Sequence, residues 1–243
     1  MNFADIHIHA LCGSDDGADS KEEMFAMIDA AYGDGARYIC LTPHYHIGYY
    51  GHNRERSERA FEILSEYVFS KYSDLRIALG NELHYEAGCE DQLSEGMCRT
   101  LNKTEYVLVD FSSSERKRVI SAALDRLLNI GYRPILAHTE RYTELLGETE
   151  LIGEFRRNGV LIQLDTGSLL GDFGRKSRRF AKALLARRLV DIVSSDAHNT
   201  DTRPVGMKPT YEYIKKKYGQ PYADKICCEN ARCLIFEAPM EEK

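Results

Sequence analysis

Histidine, aspartate and glutamate recur at the ends of short apolar runs in this chain, and these residue types together can bind divalent metal ions. The first run is Asp5-Ile6-His7-Ile8-His9, followed by the acid-glycine stretch Asp15-Asp16-Gly17. Alternation along a strand points His7 and His9 to one face, as two ligands of one ion require. Similar groups recur at Thr42-Pro43-His44, Gly80-Asn81-Glu82, Ala137-His138-Thr139-Glu140-Arg141 and Ser194-Ser195-Asp196-Ala197-His198. A single His or Asp at a strand end more often caps a turn or accepts a hydrogen bond. Scattered residues would not keep following strand-like segments, so the set is read as ligands. Mixed imidazole and carboxylate ligands suit manganese, iron or zinc better than calcium.

The elements that must position these groups alternate between strand and helix. Strands are expected at Phe3 to His9, Arg37 to Thr42, Leu75 to Leu79, Tyr106 to Phe111, Arg133 to Ala137, Val160 to Leu164 and Leu189 to Val193. Ser20 with Glu23 makes a capping-box start for a helix running to about Tyr32, where Gly33 and Gly35 stop it. Helical patterns follow at 53–71 and at about 115–130, 145–158 and 174–188. Every ligand candidate lies at or just past a strand's C-terminal end, which is where a parallel α/β barrel builds its site. An open doubly wound sheet would concentrate ligands at one switch point instead. No repeat, low-complexity tract or linker interrupts the alternation, so residues 1–243 are expected to form one domain.

Composition narrows the function classes. A net charge of -6 argues against gripping a nucleic-acid backbone. The basic stretches Arg116-Lys117-Arg118 and Gly174-Arg175-Lys176-Ser177-Arg178-Arg179 read as solvated helix faces. Seven cysteines, without metal-finger spacing, read as free thiols of a reducing cytoplasm. No apolar stretch reaches the length of a membrane span, and the ligand run beginning at residue 5 leaves no room for a signal peptide.

The order His-x-His, Thr-Pro-His, Glu after the third strand, Ala-His-x-Glu-Arg and Ser-Asp-x-His resembles the PHP (polymerase and histidinol phosphatase) metallophosphoesterases. Within that family, Ala137-His138-Thr139-Glu140-Arg141-Tyr142, Ser195-Asp196-Ala197-His198-Asn199 and Arg203-Pro204 are similar to the manganese-dependent tyrosine phosphatases of Gram-positive capsular and exopolysaccharide gene clusters. The resemblance implies a distorted (β/α)7 barrel holding two or three divalent ions, manganese first among the candidates and iron or zinc after it. It implies that His7, His9, Glu82 and Asp196 hold one ion, that Glu82 bridges to a second held by His138, and that Asp16, His44 and His198 hold a third. Arg141 and Arg203 match the family's phosphate-contacting arginines. The bland alternative for each is a salt bridge to a carboxylate such as Glu140. The family's further ligand His after the fourth strand is replaced in Asp110-Phe111-Ser112-Ser113-Ser114, where Ser114 takes its place.

The chemistry agrees with the resemblance. Phosphate monoester hydrolysis requires neutralising charge on the phosphoryl oxygens and making a strong nucleophile from water, and clustered divalent ions supply both. The expected activity is dephosphorylation of phosphotyrosine, with a phosphorylated bacterial tyrosine kinase as partner and no nucleic acid. The alternatives are a small ester such as histidinol phosphate, or a metal-binding regulatory protein weakened at Ser114. His46, His52 and His84 match no ligand and are read as surface or rim residues, His46 being near enough to His44 to touch substrate. Tyr45, Tyr49 and Tyr50 are read as packing before cleft lining.

Overall fold

Among the described residues all strand pairs are parallel, and the strands follow one another around a ring. The computed structural model describes residues 2–49 and 53–237, so Tyr50 and His52 fall outside the described residues. The chain runs β1 (Phe3–Ile8), α1 (Lys21–Asp34), β2 (Ala36–Leu41), β3 (His44–Tyr45), α2 (Arg54–Lys71), β4 (Arg76–Leu79), β5 (Glu82–His84) and α3 (Cys89–Ser94). It continues with β6 (Tyr106–Asp110), α4 (Lys117–Asn129), β7 (Arg133–Leu136), α5 (Thr149–Arg157), β8 (Leu161–Asp165), α6 (Thr166–Leu170) and α7 (Gly174–Ala186). Last come β9 (Ile192–Ser194), α8 (Met207–Tyr218), α9 (Gln220–Asp224) and two π-helical turns, Lys225–Glu229 and Arg232–Phe236.

Local chemistry accounts for the boundaries. The Ser20 hydroxyl accepts from Glu23 N at 3.1 Å, starting α1 as its capping pattern predicts. Gly35 (φ 115°) ends it by donating to the carbonyls of Ala31 and Tyr32, so Gly35 is the stop and Gly33 remains inside the helix.

Two expected strands continue past a break, which is why nine strands are described where seven were expected. Pro43 lacks an N–H, and β2 stops before it and resumes as β3 at His44. The β4 path breaks at Gly80-Asn81 and resumes as β5 at Glu82. A Cβ on Gly80 would lie 2.6 Å from Leu101 Cδ2, so a larger residue at that break would have to displace the buried Leu101 side chain. The two breaks are stitched together: Pro43 O accepts from Glu82 N at 3.2 Å and from Asn81 Nδ2 at 2.9 Å.

Counting each broken path once leaves seven strands in the order β1, β2/β3, β4/β5, β6, β7, β8, β9, and β9 meets β1 at the Ile8–Ala197 bridge. His9 N donates to Ala197 O (2.9 Å) and Asp196 N to His7 O (2.8 Å). A buried side chain completes this seam: Asp5 Oδ1 accepts from Ser195 N at 3.0 Å. The α/β barrel expected from the strand order is therefore present, distorted at these breaks and at the seam.

Ala4, Ile6, Cys40, Ala78, Leu108, Ile135 and Ile192 pack together with Leu101, Ala231 and Ile235. On most strands these residues precede the histidine or acid at the strand's end, so they form an apolar floor beneath the polar cluster. A second, larger core lies between sheet and helices and includes Met24, Ile28, Leu41, Leu64, Leu124, Leu184 and Ile214. Burial of these side chains is the main term holding the barrel closed. Among the described residues no helix is long and apolar enough to cross a membrane.

Candidate metal centre

The strand ends bring the expected ligands into one cavity, in three groups whose nitrogen and oxygen atoms lie within 4.8 Å of one another. The groups are His7, His9 and Glu82; Glu82, Asp110 and His138; and His9, Asp16, His44 and His198. Asp196 borders the first, its Oδ1 3.4 Å from Nε2 of both His7 and His9. His9 and Glu82 each belong to two groups, so the groups share walls.

Backbone strain places two of these residues. His138 (φ 32°, ψ 49°) and Asp196 (φ 52°) occupy the left-handed region, which is costly for a residue with a Cβ. His138 is held there by its N–H donating to Gln163 Oε1 at 2.8 Å, and Asp196 by its bond to His7 O. The loop carrying Asp15 and Asp16 is drawn against β1 by Gly17, where a Cβ would stand 1.8 Å from His9 O.

Acceptors around the histidines fix their tautomers. His7 Nδ1 donates to Gln163 Oε1 (3.2 Å), His9 Nδ1 to Asp15 Oδ2 (2.7 Å) and His198 Nδ1 to Asp196 O (3.0 Å). Each bond consumes the ring's N–H and leaves Nε2 with a lone pair turned to the cavity. The Nε2 atoms of His7 and His9 are only 3.1 Å apart. Two lone pairs at that distance repel unless a cation or proton lies between them, so the donors present fit a metal ion.

The electrostatics agree. Burial lowers the His44 imidazole, but the charge and hydrogen bond of Glu82 together with the Asp16 hydrogen bond push the pKa up to about 10. Burial and Arg141 likewise lower His138, yet Glu82, Asp110 and Asp165 carry it up to about 9. Burial and the nearby His9 hold His198 down to about 4. Glu82, despite burial, stays well below the ordinary carboxylate range because His7 and His44 face it. Such a field attracts positive charge, as protons on imidazole or as metal ions.

Arg141 and Arg203 meet at Asp196, whose Oδ2 accepts from Arg141 Nη1 and Arg203 Nη2, each at 2.6 Å. Arg141 also reaches Asp165 Oδ2 at 3.1 Å and lies over the Phe173 ring, 4.4 Å from its centroid. Its carboxylate partners are therefore Asp165 and Asp196 rather than Glu140. Glu140 is buried behind them, its carboxyl raised to about 8 by desolvation and the Asp165 charge, and it accepts from Asp165 N at 3.0 Å.

Asp110, not singled out in the sequence as a ligand, joins the group of Glu82 and His138. Asp110 ends β6 and sends Oδ1 to within 3.4 Å of His138 Nε2, whereas Ser114 is exposed in the turn beyond. The signal was available, since Asp110 closes a strand as the other ligands do. His84, read as a rim residue, contacts Asp110 Oδ2 through Nδ1 at 2.9 Å. His46 lies near His84, ring centroids 4.7 Å apart with the planes tilted by 42°. Tyr45 is buried and its hydroxyl bonds Gln92, while Tyr49 is exposed.

A sequence profile described as "Capsular polysaccharide synthesis, CpsB/CapC" matches residues 3–236. Tyrosine-protein phosphatase CpsB of Streptococcus agalactiae serotype III (strain NEM316) is 31% identical over 236 residues, covering 95% of this chain and 97% of that protein. CpsB of Streptococcus pneumoniae is 32% identical over 238 residues, covering 96% and 98%. Tyrosine-protein phosphatase YwqE of Bacillus subtilis (strain 168) is 30% identical over 233 residues, covering 95% and 91%. A solved structure described as "Crystal structures of YwqE from Bacillus subtilis and CpsB from Streptococcus pneumoniae, unique metal-dependent tyrosine phosphatases" superposes with a TM-score of 0.86 at 30% identity, covering 96% of this chain and 94% of that one.

Proposed function

The chain belongs to the CpsB/CapC family, and from that premise we propose that it is a metal-dependent protein-tyrosine phosphatase whose substrate is a phosphorylated bacterial tyrosine kinase of polysaccharide export. The observation that supports this reading is the joining of three ligand groups through His9 and Glu82, beside two arginines anchored on one carboxylate.

In this reading His7, His9, Asp16, His44, Glu82, Asp110, His138, Asp196 and His198 hold two or three divalent ions, manganese being the proposed one. Bound there, such ions supply charge neutralisation at the phosphoryl oxygens and a water of lowered pKa. Glu82 belongs to two groups, so in this reading its carboxylate would serve ions held in both. Asp196 divides its work: Oδ1 faces His7 and His9, while Oδ2 holds both guanidiniums in place. Arg141 and Arg203 keep further N–H groups for the phosphate oxygens and stabilise charge there as the ester bond breaks. Gln163, Asp15 and the Asp196 carbonyl orient the imidazoles, so the site costs little reorganisation during turnover.

No cysteine belongs to the three groups. The alternative of a weakened regulatory protein rested on a ligand lost at Ser114; Asp110 Oδ1, 3.4 Å from His138 Nε2, supports the catalytic reading over it.

The test is side-by-side turnover of a phosphotyrosine peptide, histidinol phosphate and a dinucleotide by the purified, manganese-loaded protein. Preferential hydrolysis of the peptide is expected. Preferential hydrolysis of histidinol phosphate would reassign the substrate while leaving the metal chemistry intact.

A further inference from the structure

Helix α7 packs against the Thr139–Arg141 turn, so its first residues lie beside the candidate phosphate-binding arginine. Phe173, immediately before the helix, is the residue whose ring lies under the Arg141 guanidinium. Arg175, Lys176, Arg178 and Arg179 then follow within the first two turns, all exposed. Phe180, Ala181, Leu184 and Leu185 occupy the buried face. From Gly174 to Val190 the sequence contains no acidic residue, although the whole chain carries a net charge of -6.

Helix stability does not explain this arrangement. Cations at a helix N-terminus oppose the macrodipole, which favours acids there. Arg175 with Arg178 and Arg179, and Lys176 with Arg179, are like-charge pairs at helical spacings of three and four, which destabilise a helix by a few tenths of a kcal/mol each. Among the described residues none of the four forms an ion pair that offsets this repulsion. The nearby acid is Asp172, which ends the α6 side of the turn and is a single charge against four.

We propose that this face of α7 is a docking surface for acidic residues flanking the phosphotyrosine of a protein substrate. The inference rests on the phosphatase reading and deepens it by naming the class of substrate sequence. Location favours a peptide over other polyanions. Arg175 to Arg179 rise about 6 Å along the helix, a span that two residues of extended chain cover at about 3.3 Å each. Because α7 begins one residue after Phe173, which packs on Arg141, residues within about four positions of a phosphotyrosine held at Arg141 would reach the start of the basic face. Asp or Glu at those positions would meet exposed guanidinium and ammonium groups, steering encounter and lowering KM without touching the chemistry.

The experiment compares two phosphotyrosine peptides of equal length, one with Asp and Glu around the phosphotyrosine and one with Gln and Ala, together with free phosphotyrosine. Their non-hydrolysable phosphonate forms are used for binding by fluorescence anisotropy. The acidic peptide should have a kcat/KM roughly tenfold higher, expressed in KM and diminishing as salt is raised. The fourfold variant R175Q/K176Q/R178Q/R179Q should abolish that preference while turning over free phosphotyrosine as the native chain does, and its melting temperature should not fall.

Equal KM and equal binding for both peptides would overturn the proposal, as would a preference that survives in the variant. Binding to vesicles of acidic lipid, lost in the variant and without any peptide preference, would overturn it in favour of a membrane-facing surface. If no phosphate monoester is hydrolysed, the phosphatase reading fails, but the phosphonate binding comparison still decides the docking surface.

Discussion

Asp110 stands between two histidines: Oδ2 is 2.9 Å from His84 Nδ1, and Oδ1 is 3.4 Å from His138 Nε2. One carboxylate thus joins a residue of the rim to a residue of the metal cluster. Asp110→Ala should remove a ligand of the group shared with Glu82, lowering metal content and turnover together. His84→Ala should reduce metal affinity or activity roughly 10- to 100-fold, as losing an orienting partner does. Ser114→Ala should change neither. Elemental analysis beside kcat checks all three, and a metal-depleted Ser114→Ala would restore the original placement of that residue.

Chelation should abolish phosphatase activity, and manganese should restore it. Because the ions bind the folded chain, their removal should also lower the melting temperature; a ligand at a hundred times its Kd stabilises by about 2.7 kcal/mol. Thiol alkylation should leave turnover intact, since the cysteines lie outside the three ligand groups. Differential scanning calorimetry with and without chelator, beside the activity assay, supplies the measurement.

Arg141→Ala and Arg203→Ala should each retain bound metal yet lose about a hundredfold in kcat, the ~3 kcal/mol typical of removing one donor from a developing charge. His138→Ala and Asp196→Ala should lose metal as well. Wild-type kinetics in both arginine variants would reduce their role to anchoring Asp196.

Metal binding should release protons. In the metal-free protein the His44 imidazole, lowered by burial but raised by Glu82 and Asp16 acting together, sits at about 10, and His138 at about 9. Both folded-state values are raised, so both rings are protonated at neutral pH and an ion must displace those protons to bind. Manganese added to weakly buffered protein at pH 7 should acidify the solution, and apparent affinity should fall as pH falls below about 10, more steeply below about 9 where His138 is also protonated. A pH-stat titration reads both effects, and binding with no proton release would contradict them.

Gly17→Ala should damage the site without removing any ligand. The added Cβ would meet His9 O at 1.8 Å, forcing the Asp15–Asp16 loop away from β1. Overpacking of this kind costs roughly 1–3 kcal/mol. The melting temperature should drop and occupancy of the His9, Asp16, His44 and His198 group should fall, measured by titrating metal into the purified variant.

Much of this was written locally. The α1 boundaries rest on Ser20 and Gly35, and the ligand types stand at the ends of apolar runs, because capping, turns and burial patterns are short-range properties of the chain. Those run ends also implied a parallel barrel, since only that topology brings many strand termini together. What the tertiary structure decided was partnership. His9 and Glu82 are shared between groups, Asp110 enters where Ser114 was expected, and Arg141 pairs with Asp165 and Asp196. These outcomes depend on interstrand register, on the breaks before β3 and β5, and on closure at Ile8 and Ala197 through Asp5. Hydrophobic period indicates which side of a strand is buried, but the atoms that meet across a barrel are set by contacts between residues nearly two hundred positions apart, as the Asp5–Ser195 bond is.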